Sequence, residues 1–403
     1  MKKSLVKLAA VLSVTGVLLS GCSRSLPEET LPEVAATTTA ATTTEVTTVT
    51  EETTAATTVE ETVEETEADM VKSTAVVTER VVDVNGQLRV EGTKIVNEAG
   101  EVVQLKGMST YGLNGMFNFV NKDTVQTLAE DWGCSVIRLA MYTVGNSDGY
   151  IQNPEEYRQQ MLDYVQLCID QGVYVIIDWH ILFDGDPLEH MAESVEFFDE
   201  MSKTFGEYPN VLYEICNEPN GDCYDAIGTP VTWENNIKPY AETVVSTIRA
   251  NDPDNIIIIG TSTWSQDVDI ASLDPVEGEN LMYTFHFYAR SHGQEHRDKV
   301  QTALDNGLPV FCTEWGTTLN TGDGTVDVEA SMEWINFMAE NDISWCNWSI
   351  GGYVTESSNA LKYVSEILTP EEKIQGHWPD KFISRSGLFV RCLILGIPYE
   401  PDN

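Results

Sequence analysis

Two apolar patterns alternate along most of this chain. Short, nearly continuous apolar runs recur at residues 102–108, 135–141, 173–178, 211–216, 255–260, 281–287, 309–313 and 343–349. Between them, apolar residues return every three or four positions over 155–171, 192–205, 233–250, 298–306 and 328–340. The first kind is too short for a helix and reads as strand, whereas the second reads as amphipathic helix. Ile256, Ile257, Ile258 and Ile259 leave no polar face, as a parallel strand covered on both sides requires. Eight such strands separated by helical stretches, at a spacing of about 30–40 residues, imply parallel strands joined by crossovers. The pattern predicts an α/β fold, an eight-stranded (β/α)8 TIM barrel. A doubly wound open sheet is the alternative, weakened because no Gly-rich nucleotide fingerprint follows any strand. Ahead of the first strand, residues 86–103 alternate around Glu91-Gly92 and Asn97-Glu98-Ala99-Gly100, which predicts a short β-hairpin plug.

The first 70 residues follow neither pattern. Lys2, Lys3 and Lys7 precede an apolar run from Leu8 to Leu19, which reads as an export signal and is too short to span a membrane dependably. Leu19-Ser20-Gly21-Cys22 resembles a bacterial lipoprotein signal, so residues 1–21 are expected to be removed and Cys22 to carry lipid. Residues 25–70 hold no aromatic, Lys or Arg and twelve acidic residues, a composition that cannot bury enough apolar surface to order itself. Residues 22–70 are therefore expected to form an extended acidic linker, and 71–403 one large folded domain. A lipid anchor would place that domain at the outer cell surface; simple secretion is the alternative.

Charge narrows the partners. Of the formal −41, residues 25–70 carry −12 and residues 1–24 carry +4, leaving −33 on the remainder. Such acidity argues against nucleic acid and anionic lipid, and is compatible with neutral polysaccharide. Membrane contact is expected only through Cys22, and the chain is expected to be a monomer. Cys134, Cys216, Cys312 and Cys346 fall in or beside predicted strands, where cysteine acts as a small hydrophobe. No C-x-x-C occurs and seven cysteines remain besides Cys22, so neither structural zinc nor a full disulfide framework is expected.

The candidate chemistry lies at strand ends. Glu218, in Asn217-Glu218-Pro219, follows one strand and Glu314 closes another, 96 positions later. In a (β/α)8 barrel the C-terminal strand ends carry the active site. Those ends read Arg138, His180, Asn217-Glu218, His286 with Tyr288, Glu314 and Trp348. Two carboxylates brought together this way are what glycosidic-bond cleavage needs. Glu218 is expected to be the acid/base, its pKa raised by burial and by the opposing carboxylate. Glu314 is expected to be the nucleophile, its charge held by Arg138 and a hydrogen bond from Tyr288. Asn217 suits the sugar 2-hydroxyl, and His180 and His286 suit orientation of the glutamates.

Together, Arg138-Leu139-Ala140-Met141-Tyr142, Asp178-Trp179-His180, Asn217-Glu218-Pro219, His286-Phe287-Tyr288 and Thr313-Glu314-Trp315-Gly316 resemble glycoside hydrolase family 5, in particular its bacterial endo-β-1,4-glucanases. The likeness runs from about Val90 to Arg391 and includes Thr263-Trp264, Asn347-Trp348-Ser349 and Glu356-Ser357-Ser358. It implies a retaining cellulase with no cofactor or metal and β-glucan as substrate. Glu218 and Glu314 would be catalytic, supported by Arg138, His180, Asn217, His286 and Tyr288. Sugar contacts would come from Tyr142, Trp179, Trp264, Trp348 and Glu356, with Trp348 under the sugar at the cleavage point. The chain departs from similar sequences at Tyr111, at Gly115 where they commonly have Trp, and at Val354 where many have Lys. Mannan, xylan, xyloglucan and mixed-linkage glucan are rival substrates. Two further readings compete: a non-catalytic polysaccharide binder, and a zinc peptidase suggested by the H-x-x-E-H spacing of His292, Glu295 and His296.

Overall fold

The computed structural model describes residues 79–113, 119–145, 148–221, 230–353, 356–362 and 378–400. Every described residue belongs to one compact unit within 68–403. The expected signal segment, Cys22, the linker, Gly115 and Val354 lie outside the described residues.

Eight parallel strands close a barrel. In chain order after the hairpin β1 (Arg89–Glu91) and β2 (Lys94–Val96) they are β3 (Lys106–Thr110), β4 (Val136–Tyr142), β5 (Tyr174–His180), β6 (Val211–Glu214), β7 (Ile257–Ile259), β8 (Leu281–Tyr288), β9 (Val310–Gly316) and β10 (Trp345–Ile350). Each pairs with its sequence neighbours, and β10 returns to β3. The main helices are α1 (Val81–Asn85), α2 (Lys122–Glu130), α3 (Pro154–Gln171), α4 (Met191–Phe205), α5 (Lys238–Arg249), α6 (Gln294–Asp305), α7 (Val328–Glu340) and α8 (Arg385–Leu395).

The sequence expectation of a (β/α)8 barrel with a hairpin plug holds, with shifts at the edges. Residues 102–105 are not the start of the first barrel strand. Val102 bridges Val96, extending the hairpin, and the strand proper begins at Lys106. Leu88, Ile95 and Leu105 pack on Tyr174, Ile176, Ile258 and Phe311, so the plug fills the barrel at one end with apolar side chains. At 20–33 cal/mol per Å² of apolar surface, each fully buried large side chain here contributes about 1.5–3 kcal/mol. The opposite end is left to polar groups.

Strand β9 runs past its expected end at Thr313, to Gly316. His286 pairs with Glu314 while Thr284 pairs with Phe311, so β9 holds one more residue than β8 over this stretch. The same surplus appears against β10. A bulge of this kind re-aims side chains. It allows the consecutive residues Thr313 and Glu314 both to reach the barrel-interior network, as their hydrogen bonds to His286 and Tyr288 show.

Candidate active site

Strand periodicity assembles the polar end of the barrel. On β5, Ile176, Asp178 and His180 alternate inward, and Trp179 between them faces outward. On β4 the inward positions are Val136, Arg138 and Ala140; on β6, Leu212 and Glu214. Asp178 is in register with Glu214 on the next strand, and Arg138 with Ile176. The polar groups thus form a layer above the apolar plug.

Arg138 is the centre of that layer and is fully buried. Its Nε donates to Glu214 Oε2 at 2.7 Å, Nη2 to Asn217 Oδ1 at 2.6 Å, and Nη1 to Glu314 Oε2 at 3.2 Å. Nη2 also lies 3.0 Å from Asp178 Oδ2. A buried guanidinium persists because these acceptors surround it. Burial opposes its charge, but Asp178, Glu214 and Glu314 hold its pKa well above the usual value. In turn Glu214, despite burial, is brought down to about 2 by Arg138 and His286.

Glu218 and Glu314 meet above this layer. Glu218 lies four residues beyond β6, in a turn fixed by backbone bonds from Asn217 N to Trp179 O (3.2 Å) and Glu218 N to Ile181 O (3.2 Å). A Glu218 oxygen, a His286 ring nitrogen and a Glu314 oxygen all lie within 4.8 Å of one another. His286 Nδ1 donates to Glu218 Oε1 at 2.9 Å, and its Nε2 to Thr313 Oγ1 at 2.9 Å. The Thr313 hydroxyl donates onward to Glu214 at 2.7 Å. Burial would lower the His286 pKa, but Glu214, Glu218 and Glu314 raise it to about 9. Burial and then the facing Glu314 push the Glu218 carboxyl above the usual range, against the pull of His286. Glu314 instead receives Tyr288 Oη at 2.7 Å on Oε1 and Arg138 on Oε2. One carboxyl is thus biased toward its acid form, while the other meets a donor on each oxygen.

A cleft of about 490 Å³ opens over this pair. Tyr142, His180, Glu218, Trp264, His286, Tyr288, Glu314 and Trp348 line it, as sequence reasoning expected. Trp348 stacks on His180 (centroids 5.3 Å, 10° between planes), and Tyr142 meets His180 edge-on at 4.4 Å. Trp264 is presented by three consecutive residues with positive φ, Thr263, Trp264 and Ser265 (58°, 54° and 54°), a strained backbone that costs free energy and is held by Trp264 N to Pro219 O at 3.1 Å.

Three expected contacts fall elsewhere. Trp179 is a correction: it is 1% exposed and packs against Tyr150, Phe197 and Phe198 between barrel and helices. Its outward register decides this. Glu356 does not line the cleft; its Oε1 accepts Val326 N (2.9 Å) and Arg385 Nη1 (3.3 Å) and so ties two loops together. Asn217 is fully buried, its amide engaged by Arg138, Ile181 O and His180. Conversely, the sequence reading assigned no part to Asp178, Glu214 or Thr313 in the network, nor to Gln266, Asn320 or Asp323 in the cleft wall. A polar residue at an inward position of an otherwise apolar strand was the available signal for Asp178 and Glu214. His292, Glu295 and His296 lie side by side, the two rings 4.4 Å apart and His296 Nδ1 3.1 Å from Glu295 Oε1, but among the described residues their ligand atoms do not converge within 4.8 Å. His292 Nδ1 accepts Tyr288 N at 3.0 Å and His296 Nε2 contacts Gln266 Oε1 at 3.0 Å.

A closed parallel barrel bearing two carboxylates at its polar end, in opposed environments, is an arrangement suited to glycosidic-bond cleavage. More narrowly, the chain belongs to the cellulase family, glycosyl hydrolase family 5, which it matches over residues 96–354. It is 47% identical over 311 residues to an endoglucanase of Clostridium saccharobutylicum, covering 77% of this chain and 65% of that one. It is 49% identical over 292 residues to endoglucanase A of Evansella cellulosilytica, covering 72% and 56%. The chain therefore spans less than two thirds of the length of these relatives. A solved catalytic domain of Thermobifida fusca endoglucanase Cel5A, in complex with cellotetraose, superposes with a TM-score of 0.71 at 35% identity, covering 78% of this chain and 99% of that one.

Proposed function

We propose that this protein hydrolyses internal β-1,4-glucosidic bonds of cellulose or a related β-glucan, with retention of anomeric configuration. The observation that carries this reading is the pair Glu218 and Glu314, oxygen to oxygen within 4.8 Å in one cleft. Retaining enzymes place their carboxyls close, because the second attacks carbon directly; inverting ones leave room for a water. Glu218 protonates the leaving oxygen, a role its raised pKa suits. Glu314 attacks the anomeric carbon to form a glycosyl ester. Glu218, now a carboxylate, then takes a proton from water as the water opens that ester. Arg138 and Tyr288 orient Glu314 for attack, and Trp348 offers its face to the sugar. The endoglucanases among the relatives and the cellotetraose held by the Thermobifida fusca domain support β-1,4-glucan over the rival glycans.

The test is to follow viscosity and reducing ends together on hydroxyethyl cellulose, with mannan, xyloglucan and mixed-linkage glucan alongside. An endo-acting glucanase drops viscosity well before reducing ends accumulate, and NMR of the first product shows the β-anomer. Early α-product overturns retention; turnover of mannan alone overturns the substrate. We further infer from Leu19-Ser20-Gly21-Cys22 that the enzyme acts from a lipid anchor on the outside of the cell, as a monomer on its substrate.

A further inference from the structure

His180 lines the cleft, yet both of its ring nitrogens meet buried groups, Asp178 at Nδ1 and Asn217 at Nε2. Asp178, two positions earlier on β5, points the same way. Its Oδ2 lies 2.6 Å from His180 Nδ1 and 3.0 Å from Arg138 Nη2, with all three side chains at most 2% exposed. Its Oδ1 is buried with no hydrogen-bond partner among the described residues. Asp178 thus meets its surroundings through one oxygen.

Arg138 settles both ends of the imidazole, because a guanidinium donates and never accepts. Burial pushes the Asp178 carboxyl above its usual range, but the Arg138 charge, 3.0 Å from Oδ2, opposes a proton on that oxygen and leaves the proton of the short contact to His180 Nδ1. Independently, Arg138 Nη2 lies 2.6 Å from the Asn217 side-chain oxygen, which fixes the amide orientation. The Asn217 amide nitrogen must then face His180 Nε2, at 3.4 Å, and its protons exclude another proton there. The two routes agree.

We propose that Asp178 is a positioning residue that, with Asn217, holds His180 as the Nδ1–H tautomer, the Nε2 lone pair being taken up by the Asn217 amide, so that the ring is fixed between Trp348 and Tyr142 at the cleft wall. Burial and the nearby Arg138 also push the imidazole down to about 3, which keeps it neutral throughout the working range. Both ring nitrogens being engaged, His180 gives no proton in the reaction. This rests on the glycan reading of the cleft, but the tautomer itself belongs to the free enzyme.

The full-length protein labelled with 15N-histidine, without substrate, gives the tautomer directly, His180 being assigned by the signal missing in His180→Gln. We expect a pyrrole-type shift at Nδ1 and a pyridine-type shift at Nε2. Asp178→Asn keeps an oxygen where Arg138 and His180 donate but removes the charge; Asp178→Leu removes both. Asp178→Asn should retain the Nδ1–H signature and stay within about ten-fold of wild-type kcat/KM on hydroxyethyl cellulose. Asp178→Leu should lose the signature and fall by about 10²-fold or more, the scale of one lost preorganised contact. A proton found on Nε2 in the wild type overturns the proposal. So does an Asp178→Asn loss as large as that of Asp178→Leu with the tautomer unchanged, which assigns Asp178 to balancing Arg138 alone. Should Asp178→Leu fail to fold, the wild-type and Asp178→Asn spectra decide. A wild-type Nδ1–H signature with no turnover of any β-glucan would sink the proposed function and leave the tautomer lock standing.

Discussion

Replacing His286 by Gln tests whether the layer beneath the cleft stores a proton. The imidazole is 2% exposed and sits among Glu214, Glu218 and Glu314, which raise its pKa from 6.5 to about 9 against the opposing effect of burial. That difference corresponds to about 3 kcal/mol of stability, at 1.36 kcal/mol for each pH unit. The folded-state pKa lies above the unfolded one, so the contribution is complete below about pH 6.5 and is lost as pH rises through about 9. Glu218 is also raised in the folded state and acts in the same direction. It remains in His286→Gln, so the difference between the two proteins reports mainly on the histidine. Urea unfolding at intervals from pH 6 to pH 9.5 should show the wild type losing about 3 kcal/mol more than His286→Gln over that window. Parallel stability curves for the two proteins would refute a cationic His286 and the charge balance built on it.

Chemical rescue separates the glutamates: Glu314→Ala should be inactive on all substrates and give an α-glycosyl azide with azide, whereas Glu218→Ala on activated aryl glycosides should give the β-azide. Swapped products would invert the roles. Activity should fall on the alkaline side as Glu218 loses its proton, at a pH above the ordinary glutamate range because burial and Glu314 raise its pKa; an alkaline limb at the ordinary value would count against Glu218 as the acid. Gly316→Ala would place a methyl 2.3–2.4 Å from the Tyr288 ring. It should displace Tyr288 from Glu314 and lower kcat by about ten-fold or more with the fold retained; unchanged kcat would deny Tyr288 its part. Cys22→Ala should move activity from the membrane to the soluble fraction without altering specific activity, and wild-type activity already soluble with an unmodified Cys22 would remove the anchor.

Much of this protein was written in local pattern. Period-two and near-continuous apolar runs fix strands, and the spacing between them fixes parallel pairing, so the barrel and its plug follow from residues such as Ile256 to Ile259 and Glu91-Gly92. Glu218 and Glu314 could be singled out because barrel topology brings strand ends together whatever their separation in sequence. Register and rotation about each strand were decided only by the tertiary structure. Trp179 looked like a sugar platform by residue type, yet its neighbours Asp178 and His180 claim the inward face and turn it into the core. The surplus residue in β9, which sends both Thr313 and Glu314 inward, depends on pairing with two neighbouring strands at once. Likewise, that Arg138 draws Asp178, Glu214, Asn217 and Glu314 around one charge is a property of closure: those residues come from three strands and the turn after β6, and only the closed barrel leaves them no water to turn to.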